Sequence, residues 1–211
     1  MKPYIPPKMQ GFLTPADNEE AVDQPLYHIQ TYPTTGQLSL TFFNATGGLA
    51  VTNMDSPKVL SKGKRFGCFS LGVAFIPGQA PAQNLTSLTL NSALNDAKAV
   101  LEGACYLEFK ILDKVYLTES PLLRIPAGIG MFVGAGGIGR SLASAADGAC
   151  QISYATNGMP MIGLNRKLHV PIPIPEQVQF AVTITWPALT TITTAGSLGI
   201  WLDGMLIRAR Q

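Results

Sequence analysis

The feature that most constrains the fold of this chain is a repeated alternation of apolar residues, broken by turn residues. The clearest examples are QVQFAVTITW at 177–186 and LGIWLDGMLIRA at 198–209, which are rich in Val, Ile, Thr and aromatic residues. A period of two is that of a β-strand whose two faces meet different surroundings. Runs of this kind occur at 26–32, 37–43, 65–78, 105–112, 114–126, 150–156, 166–175, 177–186 and 197–209. The chain is therefore predicted to consist mainly of β-strands.

Only the segment SALNDAKAVLEG at 92–103 favours a helix, with Ser92 or Asn95 as its cap and Gly103 at its end. Because strands and helices do not alternate, a doubly wound parallel sheet is not expected. The prediction is an all-β fold, a single jelly roll or antiparallel β-sandwich, with one short inserted helix. The first two runs flank Pro33-Thr-Thr-Gly36, a turn signal that predicts a β-hairpin.

Two strands carry apolar residues on both faces. In the strand at 197–209 both alternate sets are apolar, which predicts cover on both sides and a central place in the fold. Asp203-Gly204 within it predicts a bulge, since glycine permits the backbone conformation that a bulge needs. Strict alternation in the strand at 65–78 places five residues on one face: Phe66, Cys68, Ser70, Gly72 and Ala74.

The N-terminal segment differs from the rest of the chain. Residues 1–25 contain five prolines and little periodicity, so they are predicted to form an extended arm that docks on a neighbouring subunit. Residues 26–211 then form one jelly-roll domain, a length that buries a sizeable core without disulfides.

Charged residues are scarce. Asp, Glu, Lys and Arg make up 13% of the chain, against about 25% in an ordinary globular domain. A surface so poor in charge predicts that neighbouring molecules cover much of it. The net charge of +2 is too small to indicate nucleic-acid binding by itself. Residues 177–202 lack charge entirely, but Pro187 and the threonines favour two strands over a membrane-spanning helix.

A glycine motif imitates a nucleotide loop. In VGAGGIGRSLA at 133–143, Gly134, Gly136 and Gly139 have dinucleotide-loop spacing, and Arg140 stands where a P-loop has lysine. The acid that would bind ribose and the β-α alternation are both missing, so no nucleotide is expected to bind. The glycine-rich stretch 127–139 is either a plain inter-strand loop or a contact with a neighbouring subunit or lipid.

No constellation of residues suggests catalysis. The cysteines, Cys68, Cys105 and Cys150, are far apart in sequence, which favours reduced, buried thiols over a zinc site or disulfides. The two histidines, His28 and His169, lack metal-ligand spacing. We therefore expect no enzymatic activity, no cofactor, no metal and no small-molecule substrate.

Two sets of residues are candidates for contacts with partners. Lys58, Lys62, Lys64 and Arg65 form a basic cluster that either faces nucleic acid or anionic lipid headgroups or is a solvated loop before a strand. Trp186 and Trp201 lie in late apolar strands and are candidate core residues or anchors between subunits.

Two stretches resemble a known family. They are TNMDSPKVLSKGKRFGCFSLGVAFIPG at 52–78, and the tail made of RKLHVPIPIPEQVQFAVTIT at 166–185 and LGIWLDGMLIRARQ at 198–211. Together they resemble jelly-roll virion proteins of icosahedral, often lipid-containing, bacteriophages. The resemblance covers about half of the chain and brings no catalytic residues with it.

The resemblance implies a capsid protein that assembles with copies of itself and with other virion proteins. It would be made in the host cytoplasm and reside in the virion, and its basic cluster would face the genome or an internal membrane. The alternative is a phage spike or lectin-like β-sandwich that binds a receptor or glycan, because the same fold class serves both functions.

Overall fold

The structure is a computed structural model, and it describes residues 7–78, 87–126, 135–137, 151–153 and 166–210. These residues form two α-helices, α1 (Pro7–Leu13) and α2 (Ser87–Glu102), and a 3₁₀ turn at Leu122–Arg124. The strands are β1 (Glu19–Asp23), β2 (Leu26–Tyr32), β3 (Ser39–Phe42), β4 (Lys64–Ile76), β5 (Tyr106–Ile111), β6 (Lys114–Glu119), β7 (Ala135–Gly137), β8 (Gln151–Ser153), β9 (Arg166–Ile174), β10 (Phe180–Thr185) and β11 (Gly196–Ala209).

Most of the strands form two antiparallel sheets. Sheet A has the order β1-β11-β4-β9, with β2 also paired to β11, and sheet B has the order β3-β10-β5-β6. The short strands β7 and β8 pair only with each other among the described residues. The prediction of an all-β, antiparallel sandwich is confirmed.

The strand pairing is nested. The early strand β2 pairs with the last strand β11, β3 pairs with β10, β4 pairs with β9, and β5 pairs with its neighbour β6. In each of the first three pairs the two partners lie on opposite sides of the β5–β6 hairpin in sequence. Residues that are distant in the chain therefore become neighbours in both sheets.

The core lies between the sheets and is rich in aromatic residues. The largest fully buried side chains include Trp186, Tyr32, Phe42, Phe43, Phe66, Phe75, Phe109 and Phe180. Helix α2 covers one end of this core, where Trp186 Nε1 donates to the carbonyl oxygen of Val100 at 3.1 Å. The helix is present where the sequence predicts one, but it begins at Ser87 and not near residue 92.

Strand β11 is central to sheet A, as predicted. It pairs with β4 on one side from Ser197 to Arg208, and with β2 and then β1 on the other. The ladder with β4 shifts register between Asp203 and Gly204, but the extra residue lies on β4 and not on β11, so the bulge was predicted at the right point of the ladder and on the wrong strand. A Cβ atom at Gly204 would lie 1.9 Å from the Gly67 carbonyl oxygen, so only glycine fits there. Residues 177–202 form β10 and the first half of β11, and no helix in the described parts of the chain is long and apolar enough to span a membrane.

The predicted hairpin at 26–43 is wrong. The turn is present, with the Gly36 N–H donating to the Pro33 carbonyl oxygen at 3.1 Å and Gly36 at φ +81°. However, β2 joins sheet A and β3 joins sheet B. The turn therefore carries the chain from one sheet to the other, a route that turn residues alone do not distinguish from a hairpin.

The predicted faces of β4 are also wrong beyond its first few residues. Cys68 pairs with Gly204 and Ser70 with Asp203, which leaves Phe69 as an extra residue in the ladder. This bulge reverses the alternation, so Leu71, Val73 and Phe75 enter the core in place of Ser70, Gly72 and Ala74.

The extended N-terminal arm is not confirmed. Residues 7–13 form a helix whose Leu13 is buried, and a Cβ atom at Gly67 on β4 would lie 2.3 Å from Leu13 Cδ2. Strand β1 pairs with residues 205–209 of β11 in the same chain. The prolines did not prevent this, because Pro7 begins the helix, where its missing N–H costs nothing, and Pro25 lies between β1 and β2.

Candidate functional site

The four cations of the predicted basic cluster lie along one end of the sandwich, where the connection from β3 to β4 crosses between the sheets. Lys58 is exposed and adopts φ +62°; its carbonyl oxygen accepts from the Phe180 N–H at 2.8 Å. Lys62 is also exposed and lines a groove of about 380 Å³ with Phe12 and Glu176.

Two of these cations are already paired within the chain. Lys64 forms an ion pair with Asp55. Arg65 binds both carboxylate oxygens of Glu19, and also donates to the carbonyl oxygens of Phe12 at 2.7 Å and Thr14 at 3.1 Å. The hydrogen bonds from Arg65 and from the Ala16 N–H lower the pKa of Glu19 to about 2. Arg65 therefore holds the N-terminal segment, and among the described residues only Lys58 and Lys62 of the cluster lack a carboxylate partner.

The two tryptophans have different surroundings. Trp186 is 2% exposed and packs edge-on against Tyr32, with ring centroids 5.3 Å apart, so it belongs to the core of its own chain. Trp201 is half-buried on the outer face of sheet A, and a Cβ atom at Gly199 would lie 2.4 Å from its Cη2 atom. Of the two candidate anchors, only Trp201 has surface to offer a neighbour.

The other sequence motifs lie mainly outside the described residues. Gly134, Gly139, Arg140 and Cys150 fall there, whereas Gly136 lies in β7 opposite Ile152 of β8. Cys68 and Cys105 are free and buried, as predicted, and burial raises the pKa of both thiols. Among the residues that the structure describes, no three His, Cys, Asp or Glu side chains gather as metal ligands would.

The structure brings together two uncharged segments that sequence analysis did not connect. Residues 24–54 and residues 177–202 contain no Asp, Glu, Lys or Arg. The first segment contains β2 and β3, and these strands pair with β11 and β10 from the second. We call the surface formed by β2, β3, β10, the first half of β11 and their loops the uncharged flank.

Among the residues that the structure describes, the four most exposed leucines are Leu112 and three leucines of the uncharged flank. Leu49 is 78% exposed, Leu189 61% and Leu38 52%. Hydrogen bonds fix the loop around Leu49. Tyr27 Oη donates to the Leu49 carbonyl oxygen, and the Val51 N–H donates to the Gly48 carbonyl oxygen at 2.8 Å. An exposed leucine on an ordered loop offers apolar area to a partner at a low cost in loop ordering.

A second feature of the uncharged flank is a row of hydroxyl groups on the outer face of sheet B. Thr41 lies opposite Thr183 with their Oγ1 atoms 3.2 Å apart, and Ser39 lies opposite Thr185. Each hydroxyl both donates and accepts hydrogen bonds, so this row can bond with protein or water without any charge.

Beneath the uncharged flank lies a buried histidine. The Phe43 N–H donates to His28 Nδ1 at 2.6 Å, and the Phe42 ring lies edge-on to the imidazole at 5.9 Å. Because burial disfavours the charged form, the pKa of His28 is lowered. The neutral imidazole thus joins β2 to the end of β3 across the edge of the sandwich.

The signal for the flank was present in the sequence, since residues 24–54 form a longer uncharged run than residues 177–202. A third run, residues 66–95, contains β4, which lies inside sheet A between β11 and β9. Only the strand pairing shows which uncharged runs meet at a surface.

Comparison with known proteins adds no assignment: no family model, no curated protein and no solved structure matches this chain.

Proposed function

We propose that this chain is a jelly-roll capsid protein of a virus, a structural subunit of an icosahedral shell of the bacteriophage kind. Its partners are copies of itself and other virion proteins. It is made in the host cytoplasm and resides in the virion.

The observation that carries this proposal is the nested pairing of strands. A jelly roll has eight antiparallel strands in two sheets, connected as two Greek keys. Eight strands of this chain fit that scheme: β2, β3, β4, β5, β6, β9, β10 and β11. Taken in this order, the first pairs with the eighth, the second with the seventh, the third with the sixth and the fourth with the fifth. The first four strands alternate between sheet A and sheet B. The last four alternate between the sheets in the reverse order, and each lies beside its partner from the first four.

The surface chemistry favours a shell over the other functions that share this fold. Jelly rolls also occur in lectins and cupins, so the fold alone does not choose among them. A shell subunit must bury much of its surface against neighbours, and interface centres are depleted of charge. The low charge content and the uncharged flank fit that requirement. In this role the exposed Lys58 and Lys62 are the residues left to meet the genome or membrane lipid.

Copy number in the source particle is the decisive measurement. A shell protein is expected to dominate the purified particle by quantitative mass spectrometry, and electron microscopy of the concentrated protein is expected to show closed or ring-shaped assemblies. A spike or lectin-like module would instead be present in few copies and would bind a glycan array. That pair of results would overturn the capsid proposal in favour of the binding module.

A further inference from the structure

We propose that the uncharged flank is the contact surface for a second copy of this chain, with Leu49 and Leu189 as its anchors. The inference rests on the proposed function and deepens it by naming the surface through which copies meet.

The chemistry of the uncharged flank restricts its partner to an uncharged surface. A charged side chain pressed against the flank would lose water at a cost of several kcal/mol per ion and find no opposite charge on β2, β3 or β10. The nearest charges on the outer face of sheet B, Glu108 and Lys110 of β5, already pair with each other. The partner must therefore be uncharged over the same area. The chain itself supplies such a surface in residues 24–54 and 177–202.

The hydroxyl row favours protein over lipid as the occupant. Ser39, Thr41, Thr183 and Thr185 present hydrogen-bonding groups on the outer face of sheet B. Thr41 and Thr183 bond to each other, but in hydrocarbon the remaining hydrogen-bonding capacity of the row would lose its water without replacement. Hydroxyl groups of another copy can both donate and accept. A membrane would accommodate the leucines but not the row beside them.

The anchors are placed for insertion into another chain. Leu49 is held by the hydrogen bonds of its loop, and Leu189 follows Trp186, whose N–H donates to the Leu38 carbonyl oxygen at 2.9 Å. Both side chains are more than half exposed, at 78% and 61%. Because these hydrogen bonds fix the backbone of the loops that carry the leucines, the loops lose little conformational entropy on binding.

The test compares two flank variants with one control by sedimentation velocity of the full chain. Leu49→Asp and Leu189→Asp are each expected to weaken self-association about tenfold or more, since each places an unpaired charge in the contact. The control is Val170→Asp on β9, where the valine is 58% exposed and the strand lies at the edge of sheet A opposite β2. It is expected to associate like the wild type. Thermal melts verify that all three variants fold, and a serine substitution at the same position replaces any aspartate variant that does not.

The inference is overturned if the flank variants associate like the wild type, or if Val170→Asp weakens association as much as they do. It is also overturned if the wild type floats with uncharged phosphatidylcholine vesicles and Leu49→Asp abolishes only that binding. If Leu49→Asp forms particles as well as the wild type does, the flank is not the contact surface, but the capsid proposal is unaffected. A low copy number in the source particle would instead reject the capsid proposal.

Discussion

At the scale of single residues, Arg65 explains why the N-terminal segment stays on its own sheet. Its guanidinium group bonds to one carboxylate and two carbonyl oxygens, all from residues 12–19. Such a bidentate, charge-assisted pair is stronger and more directional than an ordinary surface ion pair. The residue that the sequence marks as part of a basic cluster therefore acts as a clamp on the segment that precedes β1.

Arg65→Ala is expected to release residues 7–18 while the sandwich remains folded. Cleavage within residues 14–18 by a non-specific protease, located by mass spectrometry, should become faster than in the wild type. The matched control is Arg208→Ala, which removes one ion pair with Glu20 and no carbonyl contact. If Arg65→Ala and wild type are cut at equal rates, the clamp does not hold the segment.

The same clamp has a defined response to acid. The folded pKa of Glu19 is about 2, below its ordinary value of 4.5. A depressed carboxyl pKa stabilises the folded state fully above the ordinary value, and this contribution is lost as the pH falls. Wild-type cleavage at residues 14–18 is therefore expected to rise between pH 4.5 and 2, with no such rise in Arg65→Ala.

His28 gives a second residue-scale prediction, at milder pH. Its folded pKa lies below 6.5, so the stability that the neutral imidazole supplies is present above pH 6.5 and declines as the pH falls below it. Protonation would also place a hydrogen on Nδ1, facing the Phe43 N–H. The free energy of unfolding should fall between pH 6.5 and 5, by at most about 1.4 kcal/mol per pH unit.

Urea titrations between pH 5 and 6.5 measure how steeply the free energy of unfolding changes with pH. His28→Asn is expected to reduce this dependence, whereas His169→Gln, at the other and exposed histidine, should leave it unchanged. If the free energy of unfolding of His28→Asn depends on pH as steeply as that of the wild type, groups other than His28 cause the loss of stability in acid.

At the scale of elements, the positions of most strands followed from the sequence, whereas β1, β7 and the pairing partners did not. Alternation located β4, β9, β10 and β11 to within a few residues of their observed bounds. It did not separate a hairpin from a crossing between sheets at Pro33–Gly36, because both use the same turn residues. It also failed at Phe69, because the bulge there arises from the ladder with β11, which a local pattern does not contain.

Ending the chain at Asp203 is expected to give insoluble protein. The truncation removes the buried Leu206 and Ile207 and all of the β11 residues that pair with β1. Loss of each buried side chain costs about 2–5 kcal/mol by large-to-small precedent. Together they approach the whole stability of a typical domain, about 5–15 kcal/mol.

The control is a chain that ends at Arg210, which keeps all of β11 and should melt like the wild type. The measurements are the soluble fraction and the thermal melt. A soluble, cooperatively melting product of the longer truncation would show that the second half of β11 is dispensable to sheet A.

At the scale of the whole molecule, composition predicts assembly but does not predict which surface would carry it. The low charge content is a property of the sequence, whereas the uncharged flank exists only because β2 and β3 pair with β11 and β10. Proximity in sequence likewise did not show which cations of the basic cluster are free of carboxylate partners. Its four cations are neighbours in sequence, but Lys64 and Arg65 are neutralised by carboxylates that folding brings to them.

Self-association through the uncharged flank is expected to withstand high salt. Raising NaCl from about 0.1 M to 1 M shortens the screening length from about 10 Å to 3 Å, which weakens contacts between exposed charges. Apolar burial has no such dependence. Sedimentation velocity at the two concentrations should therefore give equal or tighter association at 1 M. Dissociation at 1 M would indicate that charged residues outside the flank hold the copies together.

The nested pairing also sets an order of events during synthesis on the ribosome. Strands β2 and β4 emerge early, yet both depend on β11, which begins at residue 196, about 120 residues after β4 ends at residue 76. Among the described strands of the two sheets, only β5 and β6 are consecutive in sequence and paired, whereas β1 to β4 must wait for a partner from the second half of the chain. Such distant pairing makes folding slow and leaves strand edges open meanwhile. Sheet A thus closes only when β11 arrives, so a ribosome stalled before residue 196 holds an unfinished sandwich.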